Sequence, residues 1–138
     1  MDRLNTRNML RRRHFHIDAG YSCAMCNLDL EEDIQHLFFD CPFATSCWLS
    51  LQIQWMDDHD IHAKLLSARI AFNSPFFMEI FLVAAWELWK IRNDRIFNQQ
   101  TNSRSRWLFN FKKQVHLQLL KVKQSLHPQI VQWLDTLV

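Results

Sequence analysis

Gly20 is the only glycine in 138 residues, and proline occurs only at positions 42, 75 and 128. Strand-rich folds turn through residues that tolerate positive φ, above all Asn-Gly and Asp-Gly steps. A chain this poor in such residues must run in helices. Apolar spacing agrees. It predicts a short basic helix over 4–14, capped by Asn5, and one or two helical turns over 33–39 carrying His36. Pro42 suits the first position of a helix presenting Phe43, Cys47, Trp48 and Leu51. After a polar acidic loop over 54–61, a helix over 61–72 should bury Ile61, Leu65, Leu66 and Ile70. The segment 75–98 is apolar nearly all round, so it should be the central helix. Thr101-Asn102-Ser103 should cap a long basic helix running to about Ser125, with Trp107, Phe111, Val115, Leu119, Val122 and Leu126 inward. Pro128 should open a last short helix around Ile130, Trp133, Leu134 and Leu137. The core is expected between the central and basic helices, with Trp48 and Trp133 covering its ends.

Residues 1–16 are basic and polar without an apolar signal-peptide core. The most apolar stretch, 76–89, is broken by Glu79 and Glu87 and is too short to span a bilayer. The expectation is an intracellular protein, nuclear or cytoplasmic, with reduced thiols that read as metal ligands before disulfides. Cys23, Cys26, His36 and Cys41 follow the pattern C-x2-C-x9-H-x4-C. A C-x2-C turn supplies one edge of a tetrahedron and the later His and Cys the other, which is the donor set of one structural zinc ion. Cys47 is a spare thiol that could stand in for Cys41, although beside Trp48 it reads as a small buried hydrophobe. His14, His16, His59 and His62 read as surface or satisfied histidines. The expected fold is all-α, a zinc-stabilised module over 1–53 packed on a helical region over 54–138 as one domain.

The runs Leu10-Arg-Arg-Arg-His-Phe, Cys23-Ala-Met-Cys26, and Glu32-Asp-Ile-Gln-His36-Leu-Phe-Phe-Asp-Cys41-Pro-Phe-Ala44 with Trp48 closely resemble the zinc-binding domain that follows plant LINE-type reverse transcriptases. The run Trp86-Glu-Leu-Trp89-Lys-Ile-Arg92-Asn93-Asp-Arg95-Ile-Phe97 is similar to the segment that usually comes next in those proteins. The resemblance implies that Cys23, Cys26, His36 and Cys41 are the zinc ligands. No polymerase palm with paired catalytic Asp precedes the motif and no RNase H-like domain follows it. The expectation is therefore a detached or domesticated retroelement fragment, without the family's reverse transcription.

Four ligands close the zinc shell and leave no place for an activated water, so no catalysis is expected. Asp57-Asp58 reads as a solvated loop, and a Gly-rich phosphate cradle or small-molecule substrate site is not expected. Charge is strongly segregated. Residues 21–60 hold eight acids and no Lys or Arg, whereas 90–123 hold nine basic residues and one acid, Asp94. Lys90, Arg92, Arg95, Arg104, Arg106, Lys112 and Lys113 are the candidate phosphate contacts for RNA or DNA on a basic helical hairpin. The alternative partner is another protein, because eighteen aromatic residues exceed what one small core easily hides.

Overall fold

The computed structural model describes residues 22–26, 28 and 30–138, and the helix expected over 4–14 lies outside them. Within that span a π-helical turn, His36–Asp40, precedes five α-helices: α1 (Pro42–Ser50), α2 (Ile61–Phe72), α3 (Phe77–Phe97), α4 (Arg104–Gln118) and α5 (His127–Asp135). Extended pairing among the described residues amounts to one antiparallel bridge between Ser22 and Glu31. The fold is all-α, as glycine scarcity requires.

Local signals set most boundaries. Pro42 and Pro128 lie in the first turns of α1 and α5, where a missing N–H costs nothing. The Asp60 carboxylate accepts from the His62 N–H at 3.0 Å and the Ser103 hydroxyl from the Arg106 N–H at 3.2 Å, capping α2 and α4. Asn73 ends α2 in the left-handed conformation, φ 52°. At the end of α1, Gln52 N–H donates to Leu49 O and Ile53 N–H to Trp48 O, the two bonds of a Schellman motif. Gln52 takes its left-handed position with φ 61°.

The buried residues form one core cluster from Cys23 to Leu137. Its centre is α3 on α4, with α1 also against α4. Phe77, Ile80, Ala84, Leu88 and Ile91 of α3 and Trp107, Phe111 and Val115 of α4 are all buried, and the Trp107 indole N–H donates to Ala84 O at 3.3 Å. Trp48, expected to cover one end, is fully buried. Its indole N–H donates to Phe38 O at 2.6 Å, and its ring stacks on Phe81 at 5.7 Å. Trp133 does close one end, against Phe72, Phe76 and Phe111.

Two expected elements differ. The basic helix stops at Gln118, and two 3₁₀ turns, Leu119–Lys121 and Gln124–Leu126, replace its last stretch. Leu119, Val122 and Leu126 stay partly buried through that redirection, which returns the chain to α5. On α2, Leu66 is 60% and Ile70 69% exposed. The inward side is instead Lys64 and Ala68. No described helix is long and apolar enough to cross a membrane.

Candidate metal centre and basic surface

The donors come from two local structures. A tight loop is closed by Cys23 N–H on Leu30 O at 2.8 Å, and the Met25 N–H points at Cys23 Sγ at 3.4 Å. Such amide donors stabilise a thiolate. The second pair sits at the two ends of the π turn. On an α-helix, residues five apart point about 140° away from each other. Here Cys41 N–H closes an i→i+5 bond to His36 O at 2.7 Å, and the wider turn brings both to one side. The Asp33 carboxylate accepts from the His36 N–H at 2.7 Å and anchors the start of this turn.

The four donor atoms lie within 4.8 Å of one another. Cys23 Sγ to Cys41 Sγ is 4.0 Å, and Cys26 Sγ to His36 Nε2 is 3.3 Å. A tetrahedral zinc with Zn–S near 2.3 Å and Zn–N near 2.05 Å needs edges of about 3.8 and 3.6 Å. The residues fit the ion. Their electrostatics agree: the Cys23 thiol holds the Cys41 sulfur down to about 4 by donating to it, and the amides of Phe43 and Ala44 at the start of α1 lower it further. That same bond raises Cys23, while burial raises Cys26. Three thiolates this close repel one another, and a divalent cation lets all three ionise together. With three sulfurs and one nitrogen the shell closes, so the zinc is structural.

Cys47 is fully buried outside this cluster, and burial pushes its thiol up to about 12. It is the small hydrophobe of one of the two sequence readings. His59 and His62 are exposed and likewise outside the cluster, while His14 and His16 lie outside the described residues.

Sequence reasoning missed the ties that hold the centre on the helices. Glu32, fully buried, takes Arg92 bidentately, Oε1 to Nη2 at 2.8 Å and Oε2 to Nε at 3.3 Å. Arg92 also lies over the Trp89 ring, 4.6 Å from its centroid. Lys64 donates to Gln35 Oε1 at 3.0 Å, sits 3.5 Å from Asp40 and covers the Phe39 ring at 4.8 Å. Asn102, in the α3–α4 loop, donates to Met25 O at 3.0 Å. Apart from Arg92 on Trp89, each link joins positions distant in sequence, where spacing carries no signal.

The basic candidates divide accordingly. Arg92 is 3% exposed and committed to Glu32, so the expectation that it touches phosphate is corrected. Lys90 ion-pairs with Glu87 at 2.8 Å. Arg95, Arg104 and Lys113 are exposed, and Arg106 and Lys112 partly so. Arg104 and Arg106 take neutral partners, the Ser50 hydroxyl at 2.7 Å and Gln100 Oε1 at 2.8 Å. Lys112 donates to Leu137 O at 2.7 Å.

No curated protein and no solved structure matches the chain. Residues 1–48, which include all four donors, match the family described as zinc-binding in reverse transcriptase.

Proposed function

We propose that this protein is a non-catalytic nucleic-acid-binding module of retroelement ancestry, shaped by its zinc and gripping phosphates through α4 and the end of α3. One observation carries the reading. Arg104, Arg106, Lys112 and Lys113 lie on α4, and that helix contains no Asp or Glu. Solvated helix faces often gain support from opposite charges at i,i+4, and α4 has none to offer. Two of these cations also occupy the first turn, where the helix dipole disfavours them. A polyanion resolves both mismatches. The match to a reverse-transcriptase-associated domain supports the same reading. The acidic segment 21–60 opposes phosphate, which leaves the zinc centre as scaffold.

Fluorescence anisotropy with labelled RNA and DNA at ~50 mM salt, where phosphate contacts are strongest, tests it. Wild type should bind and weaken steeply with salt. Arg104→Glu with Lys113→Glu should lower affinity at least tenfold and reduce the log–log salt slope by roughly 1.5, since each contact contributes about 0.7–0.9. Wild type that fails to bind either polymer refutes the reading.

A second reading rests on the apolar groove between α3 and α4. Leu82 and Trp86 are exposed there beside Val83 and Val122, as a protein-binding face would require. A solution mass above one chain that Trp86→Glu returns to a monomer would favour it.

A further inference from the structure

We infer that the α4 surface takes single-stranded rather than duplex nucleic acid, with Phe109 as the platform on which an unpaired base stacks; this rests on the nucleic-acid reading above. Phe109 lies within α4 and is 68% exposed. Its helical neighbours at i−3, i+3, i+4 and i+7 are Arg106, Lys112, Lys113 and His116. Residues at those spacings share a helix face. An aromatic ring therefore projects into solvent beside the Lys112 and Lys113 cations, with no acid on the helix to balance them.

A shallow recess beside the ring is walled by Arg104, Ser105, Leu108, Phe109, Lys112 and Val138. Arg104 and Lys112 are steadied there by the Ser50 hydroxyl and the Leu137 carbonyl. Both partners are neutral, so the cations stay oriented while their charge remains available. An apolar partner for the ring would have to desolvate these cations without pairing them, which is costly. A polyanion meets them, and an unpaired base offers the ring a π-face of matching size. A duplex hides its base faces inside the stack and can use the cations alone. Stacking and charge together therefore select a strand whose bases can turn outward.

The test uses the full chain, zinc-loaded, with three labelled probes of equal length at ~50 mM salt: a mixed-sequence single strand, its duplex, and an abasic single strand of equal charge. Wild type should prefer the mixed single strand over both others. Phe109→Ala should weaken that probe roughly fivefold to a hundredfold, the range for one stacked base. It should leave the duplex and abasic probes unchanged, and Phe109→Trp should restore single-strand affinity. Binding of all three probes without preference, or Phe109→Ala binding the mixed strand like wild type, overturns the single-strand inference while phosphate binding stands. Failure of wild type to bind any probe overturns both. Because Phe109 is mostly exposed, the alanine variant should keep its melting temperature, and its unchanged duplex affinity guards against a folding artefact.

Discussion

Cys41 and Cys47 lie six positions apart, and their surroundings act on the two thiols in opposite directions. Cys41 begins a helix, with a thiol donor and amides around it, and is held at about 4. Cys47 is buried nearly two turns later, and burial lifts it to about 12. A thiol raised that far is protonated at neutral pH and nearly lacks the reactive thiolate. In the zinc-loaded protein at pH 8, iodoacetamide should therefore leave Cys47 unmodified until denaturant is added, as peptide mass mapping would read. Early alkylation of Cys47 would contradict its placement. Gln52 offers a second check. It holds a left-handed C′ position that glycine fills without a Cβ clash, in a chain with almost no glycine. Gln52→Gly should stabilise by about 0.5–1 kcal/mol in thermal unfolding, and a destabilised variant would show that the Gln side chain contributes more than its backbone costs. At this scale the ligands were legible because spacing within a short loop is itself geometry. Arg92 and Lys64 were not, because a cation reads as exposed and their partners are 60 and up to 29 positions away.

Helices were legible where a cap or a proline marks an end, and illegible where packing decides. Ser103 and Pro128 announce α4 and α5 in the sequence. The end of α4 carries no such mark: Leu119, Val122 and Leu126 fit a continuing helix and two 3₁₀ turns equally well, and only the return to α5 chooses between them. On α2 the 3.6-residue period fits both the Leu66–Ile70 side and the Lys64–Ala68 side. The second wins because Lys64 finds Gln35, Asp40 and the Phe39 ring on the segment that carries His36. Burial ranks the tryptophans in the same way. Trp48→Ala should cost about 3–5 kcal/mol in denaturant unfolding, because the ring is fully enclosed. Trp89→Ala should cost clearly less, since Trp89 is only half-buried. Equal costs would mean that Trp48 is not more enclosed than Trp89. The Glu32–Arg92 pair joins elements across the whole core. Arg92→Met leaves Glu32 buried without its ion pair and should cost roughly 3–5 kcal/mol. A loss under 1 kcal/mol would show that the carboxylate finds water or another donor.

Across the molecule, the acidic zinc-bearing segment and the basic helical hairpin are opposite in charge yet built on one core. The segregation was plain in the sequence. Its physical coupling was not, since it depends on Glu32–Arg92, on Lys64 and on Asn102 reaching Met25 from the α3–α4 loop. Those ties make the metal a support for surfaces it does not touch. Zinc binding free energy is then folding free energy for the centre and for the loop that precedes Arg104. Metal content tests this most directly. Native mass spectrometry of the purified chain should show the mass of one bound zinc per polypeptide, retained in Cys47→Ser and lost in Cys23→Ser and His36→Ala. A wild-type chain that carries no zinc, or a Cys47→Ser chain that loses it while His36→Ala keeps it, would contradict the Cys23–Cys26–His36–Cys41 centre.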